Sequence, residues 1–209
     1  MHRQRHLFER VCSFENLVAA SREALRGKRS RLPGAAFLAE EEKELVALRE
    51  ELCSGAYQHG PYTYFMVHDP KDREAAAARF RDRVVHHAVV RVIEPIFEKR
   101  FIEDSFACRL GKGTHAAMRR AAGFARAFPM ALKCDVRKYF ASIDHSVLLG
   151  LLADVVADEK LLELIRGIVD SHADGVSQEW PPGGELFDVA LRKRGLPIGN
   201  LTSRNTSAV

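Results

Sequence analysis

Leu132-Lys133-Cys134-Asp135-Val136-Arg137-Lys138-Tyr139-Phe140-Ala141-Ser142-Ile143-Asp144-His145 is the stretch on which the reading of this chain turns. Residues 130–136 are a short apolar run that reads as a buried strand delivering Asp135 near its end. A carboxylate so placed, followed by Tyr139 and Phe140, can hold a divalent cation against a substrate phosphate, with the aromatic side chains as one wall. The plainer alternative is that Asp135 caps a turn or pairs with a nearby arginine. Asp144 reads more simply as the N-cap of a short helix through Leu152.

Upstream, Gly111-Lys112-Gly113-Thr114 is a flexible basic turn, with Thr114 a candidate N-cap for a helix to about Phe128. Val84, Val85, Ala88, Val89, Val92, Ile96 and Phe97 form an apolar helical stripe that Pro95 kinks or ends. Residues 62–68 suit a strand and Asp69-Pro70-Lys71-Asp72 a turn, so a hairpin is expected. Its returning arm, residues 73–80, holds four alanines and favours helix by propensity, so local preference and hairpin geometry conflict there. Nearer the start, residues 13–27 read as a helix capped by Ser13 and stopped at Gly27. A basic loop, residues 28–31, precedes a second helix from about residue 36 to Gly55. Downstream, Asp158 is a candidate N-cap for a helix to about Ser171. A loop around Pro181, Pro182, Gly183 and Gly184 follows, in which Trp180 is read as packing rather than as stacking on a base.

The chain has 209 residues, 46% hydrophobic and 29% charged, which suits a globular protein with one real core and excludes a disordered or collagenous one. No apolar stretch reaches the roughly 18 residues of a spanning helix, and residues 1–10 lack the apolar centre of a secretory signal. A cytoplasmic protein without a membrane partner is therefore expected. Cys12, Cys53, Cys108 and Cys134 are widely spaced, which argues for reduced, mostly buried thiols rather than a zinc site or disulfide framework. His86, His87 and His115 lack metal-ligand spacing and are read as structural. The net charge is only +4, but residues 71–138 hold 16 Lys and Arg against 8 Asp and Glu, while residues 139–209 hold 6 against 10. A polyanion is expected to meet the middle of the chain.

The ordered stretch from Leu132 to His145 resembles the palm motif of reverse transcriptases. The resemblance extends to Asp69-Pro70-Lys71-Asp72-Arg73, to Phe80-Arg81-Asp82-Arg83-Val84-Val85-His86-His87, and to Glu94-Pro95-Ile96-Phe97-Glu98, which look like fingers motifs of that family. Ser105-Phe106-Ala107-Cys108-Arg109-Leu110-Gly111-Lys112-Gly113-Thr114-His115 is similar to the next motif, and Arg194-Gly195-Leu196-Pro197-Ile198-Gly199-Asn200-Leu201-Thr202-Ser203 to the fourth. Ile198-Gly199 is nearest to diversity-generating retroelement enzymes, with retron and group II intron enzymes as neighbours.

The resemblance implies an α+β fold of helical fingers with a β-hairpin, joined to an incomplete palm sheet, the thumb absent. It divides the chain into an N-terminal helical extension (1–58), fingers (59–130) and a partial palm (131–209). The implied function is RNA-directed DNA synthesis with Mg²⁺ and deoxynucleoside triphosphates, on an RNA template and a DNA primer, with an accessory protein as a further partner. Asp135 would bind the metal as catalytic carboxylate and the carbonyl of Val136 would add a ligand. Phe140 would exclude a ribose 2′-hydroxyl, Lys71 and Arg73 would clasp the triphosphate, and Arg109, Lys112 and Arg119 would meet the template backbone. The family's next motif, Tyr-x-Asp-Asp, does not occur before Val209, so this chain is expected to be an inactive, truncated form. The match stops between Ser203 and Arg204, where the family has Gln, so the tail is expected to be out of frame. The rival expectation is a non-catalytic RNA-binding or assembly protein derived from such an enzyme.

Overall fold

A computed structural model describes residues 3–68, 72–172 and 193–197, with the side chain of Arg73 left out. Four helices open the chain: α1 (Leu7–Val11), α2 (Phe14–Ala24), α3 (Leu32–Ala39) and α4 (Glu41–Ser54). A hairpin of β1 (Thr63–His68) and β2 (Asp72–Ala77) follows, then α5 (Phe80–Glu98), α6 (Thr114–Ala127), α7 (Tyr139–Ser142), α8 (His145–Ala153) and α9 (Glu159–Asp170). The class is α+β, and among the described residues the antiparallel pair β1–β2 is the only sheet.

α5 is the axis of the core. Its apolar stripe buries Val84, Val85, Ala88, Val89, Val92 and Phe97 against α2 and α1, where Leu17, Ala20, Val11 and Leu7 are all at most 1% exposed. Leu45, Leu48 and Leu52 of α4 and Leu161, Ile165 and Ile168 of α9 close the same cluster. Pro95 sits inside α5, which ends one turn later at Glu98, as expected of a residue with no N–H for the preceding turn. Ser13 caps α2 by accepting from the Asn16 amide at 3.3 Å. Asn16 then donates to the carbonyls of Val11 and Ala88, both at 3.1 Å, and ties three helices together.

Asp158 has a double role. One carboxylate oxygen accepts from the amides of Leu7 and Phe8 at 2.8 and 2.9 Å, and the other faces the amide of Leu161 at 3.4 Å. One side chain thus caps α1 and α9 together. Residues 4 and 155–157 pair alongside it, Gln4 N–H donating to Val155 and Ala157 N–H donating to Gln4, each at 2.8 Å.

Several expectations are corrected. The helix expected from residue 36 to Gly55 is two helices, α3 and α4, broken at Glu40, and α1 is an additional short helix. The alanine-rich arm is strand from Asp72 to Ala77, paired Thr63 to Ala77 and His68 to Asp72, so pairing with β1 outweighs helix propensity. α6 begins at Thr114 itself, with Gly113 (φ +93°) before it and no side-chain cap. Cys12 is buried, but Cys53, Cys108 and Cys134 are exposed. The largest correction concerns residues 130–136, which are irregular and solvent-facing, Met130 being 87% and Leu132 90% exposed. An isolated run cannot pair its own amides and carbonyls, so a strand forms only where a neighbouring strand lies alongside.

Candidate functional site

Asp135 and Val136 lie on this exposed stretch, and among the described residues Asp135 makes no ion pair. Lys138 then takes a left-handed conformation (φ +51°), which turns the chain into α7. Phe140 on α7 is half-buried and packs against the core, with Tyr139 edge-on to it at 5.5 Å. The aromatic expected beside the carboxylate is therefore held by the fold, while the carboxylate itself is presented to solvent.

The segment 193–197 is laid across α7 and the start of α8. Leu196 N–H donates to the carbonyl of Phe140 and Gly195 N–H to that of Ile143, both at 2.9 Å, and His145 N–H donates to Lys193 at 3.0 Å. The His145 side chain, 3% exposed, clamps this arrangement: its Nε2 lies 2.7 Å from the carbonyl of Gly195 and its Nδ1 3.4 Å from Asp170. Lys193 reaches the same carboxylate at 3.1 Å. Gly195 has φ +99°, a conformation that favours glycine. Asp144 accepts from the amides of Ser146 and Val147 at 2.9 and 3.2 Å and is a helix cap. Residues some 50 positions apart in the chain are thus fixed into one unit next to Asp135 in sequence.

Arg109 points inward. Its guanidinium bonds Glu98 at 2.8 Å and the carbonyls of Ile102 and Ser105 at 2.8 and 3.0 Å, over the ring of Phe101. With only 9% of its side chain exposed, it braces the loop after α5. Lys112 is half-exposed, lying over the ring of Phe106 and donating to the carbonyl of Glu103. Arg119 on α6 is exposed and has no partner among the described residues. Its neighbour Arg120 grips Asp104 with two bonds, at 2.6 and 3.1 Å, and covers Phe124. Lys71 lies outside the described residues, as do Trp180, Ile198, Gly199, Ser203 and Arg204. The backbone of Arg73 pairs with Val67 in the hairpin.

A polar cluster not anticipated from sequence joins residues 57–60 to α5. Tyr57 donates to buried Asp82 at 2.7 Å and Gly60 N–H donates to the same carboxylate at 3.2 Å. Burial first, and the Asp82 charge next, push the Tyr57 hydroxyl well above its ordinary value. His86, 1% exposed, stacks on His59 with Nε2 to Nε2 at 3.1 Å, and burial lowers its pKa from 6.5 to about 3. The signal in the sequence is a polar pair four residues apart, Asp82 and His86, interrupting the apolar stripe of α5. Beside it, α4, residues 55–59 and α9 enclose a cavity of about 450 Å³, its wall including Cys53, His59, Lys160 and Glu163. None of the residues expected to bind metal, nucleotide or template lines it.

Among the described residues no helix is long and apolar enough to cross a membrane. No family model matches the chain. Over 87 residues, 42% of its length, the chain is 35% identical to nuclear intron maturase 1, mitochondrial, of Arabidopsis thaliana, covering 12% of that protein. It is 28% identical over 204 residues to protein YkfC of Escherichia coli (strain K12), covering 88% of this chain and 53% of that one. A third relative is the group II intron-encoded protein LtrA of Lactococcus lactis subsp. cremoris, 28% identical over 130 aligned residues, with 59% of this chain and 21% of the relative covered. The chain spans about half or less of the length of these relatives.

Proposed function

From the premise that the chain's homologues are group II intron maturases and reverse-transcriptase-like proteins, we propose that it forms the fingers and the first palm segment of an RNA-directed DNA polymerase. The observation that carries this reading is the unit made by α7, the start of α8 and residues 193–197, which fixes Phe140 through the Leu196 amide and the His145 clamp. In this reading Phe140 is the wall against which a deoxyribose rests, and Lys71 and Arg73 reach the triphosphate from the hairpin. RNA lies along the arm that carries Lys112 and Arg119.

Asp135 offers an exposed hard oxygen with no ion pair among the described residues, which fits a magnesium ion, and the carbonyl of Val136 offers a second. Among the described residues, no group of three or more His, Cys, Asp or Glu side chains comes together around them. Mg²⁺ is commonly held by one or two carboxylates together with waters and substrate phosphates, so these residues are part of a site and not the whole of one. The metal, when bound, would stabilise charge developing on the transferred phosphoryl group.

The test is a pair of measurements on the 209-residue polypeptide. Binding to single-stranded RNA is expected to weaken steeply with salt and to fall on Arg119→Ala, while template-dependent primer extension with Mg²⁺ is absent. RNA affinity indifferent to salt and to Arg119→Ala would overturn the RNA reading. Extension abolished by Asp135→Asn would show that the site is complete within these residues. The second reading, a non-catalytic RNA-binding or assembly protein, rests on the same exposed basic arm. It is favoured if RNA binding persists and restoring further polymerase segments in trans brings no synthesis.

A further inference from the structure

The cavity between α4, residues 55–59 and α9 has no part in the polymerase reading, yet one of its walls is held rigidly. α4 ends where Gly55 takes a left-handed conformation (φ +75°), with Gly55 N–H donating to Leu52 and Tyr57 N–H to Glu51, at 3.2 and 3.1 Å. The chain is thereby turned so that Tyr57 and His59 line the cavity. Both side chains are tied to α5, Tyr57 through its hydroxyl to Asp82 at 2.7 Å and His59 through its Nε2 to His86 at 3.1 Å. His59 also stacks on Tyr62, ring centroids 4.8 Å apart, and its Nδ1 stands 2.6 Å from the carbonyl of Gly60. A wall fixed at so many points is preformed for a ligand.

The wall formed by α9 is kept open by Gly167. A Cβ built there would meet no atom within 4 Å, so close packing does not require glycine, and glycine weakens a helix. The polar groups of the lining divide into two sets. Ser54 donates to the carbonyls of Glu50 and Glu51 at 2.8 and 3.2 Å, and Ser171 to that of Ile168 at 2.6 Å, so these hydroxyls are engaged within their own helices. The side chains of Gln58, Lys160 and Glu163 have no hydrogen bond or ion pair among the described residues. Lys160 and Glu163 stand one turn apart on α9, where side chains at i and i+3 are about 5–6 Å apart at Cβ. One cation beside one anion gives no net field to attract a phosphate or a polyamine, and it suits a molecule that carries both charges at one end. Phe8, Leu52 and Leu164 supply apolar surface in the same cavity.

We propose that this cavity binds a free α-amino acid with an apolar side chain, its carboxylate toward Lys160, its ammonium toward Glu163 and its side chain among Phe8, Leu52 and Leu164. At about 450 Å³ the cavity falls within the roughly 300–1,000 Å³ of small-ligand sites. The site shares no residue with Asp135, Phe140 or the α6 arm, so it stands or falls apart from the polymerase reading.

Calorimetric titration of the 209-residue chain tests this, with L-phenylalanine as the probe and L-phenylalaninamide, N-acetyl-L-phenylalanine and glycine beside it. L-phenylalanine should bind saturably, about fivefold more tightly than either compound that lacks one of its charges. Glycine, which has no apolar body, should not bind. Lys160→Gln should erase the preference over the amide alone, and Glu163→Gln the preference over the N-acetyl compound alone. Both residues are exposed, so these variants should fold. Gly167→Leu should fill the cavity and remove binding while the thermal midpoint stays level or rises. No saturable binding to the unmodified chain, or equal binding of the three phenylalanine compounds, overturns the proposal. Binding that persists in folded Gly167→Leu overturns it too, because the ligand then sits elsewhere. Should Gly167→Leu fail to fold, the two charge variants decide: preferences that survive in both of them overturn the assignment of Lys160 and Glu163.

Discussion

The helices around α5 and the arm formed by α6 and residues 128–138 carry similar apolar patterns and have opposite fates. In the first, Leu17, Leu48, Val84 and Ala88 are fully buried. In the second, α6 buries no residue, and Met118, Phe128, Met130 and Leu132 are 62–90% exposed. Periodicity therefore specifies which face of a segment can be buried, whereas burial itself depends on what the chain places opposite. α5 has α1, α2 and α3 against it, while α6 has no comparable packing partner among the described residues.

Deleting apolar volume should affect the two regions very differently. Leu48→Ala is expected to lower unfolding free energy by about 2–5 kcal/mol in urea denaturation, by transfer and cavity costs together. A loss under about 1 kcal/mol would show that the core around α5 is loosely packed.

Acid should act on the packed region in its own way. His86 is neutral in the folded chain, with its pKa lowered from 6.5 to about 3 by burial first and His59 second. The unfolded chain takes up this proton more readily, so the contribution is fully present above pH 6.5 and is lost as pH falls toward 3. The expected slope is about 1.4 kcal/mol per pH unit in that window. Denaturation midpoints measured from pH 7 to pH 4 should show it, and His86→Leu should flatten the profile. An unchanged profile would mean that the ring is not buried in solution.

A smaller effect is expected at the joint between the chain's start and α9. Asp158→Ala removes caps from two helices, and a loss of about 1–3 kcal/mol is expected by the same denaturation measurement. Hydrogen exchange at the Leu7 and Phe8 amides should quicken alongside it. If exchange there is unaltered, the carboxylate is not their partner.

The smallest effect belongs to the arm. Leu132→Ser is expected to change stability by less than about 0.5 kcal/mol, since the side chain is already 90% exposed. A large loss would reveal that residues 130–136 are covered in solution.

The features legible in the sequence were the local ones. Ser13, Asp144 and Asp158 cap the helices that follow them because a cap is decided within three residues. The first strand of the hairpin and the stripe of α5 were readable for the same reason. Residues 130–136 and Arg109 were not, since strand formation needs a neighbour and an arginine's direction depends on whether a Glu98 stands within reach. Beside the candidate site, the cap at Asp144 was legible from its place before a helix, while the clamp of His145 on Gly195 joins positions 50 residues apart and leaves no local trace.

The double cap at Asp158 also sets an order of events during synthesis. The carboxylate that receives the amides of Leu7 and Phe8 lies about 150 residues downstream of them. At about 5–20 residues per second, α1 waits roughly 8–30 s after leaving the ribosome before its partner emerges. For that interval Leu7 and Val11 have no α9 to lie against, and the first helix of the chain is among the last to be secured.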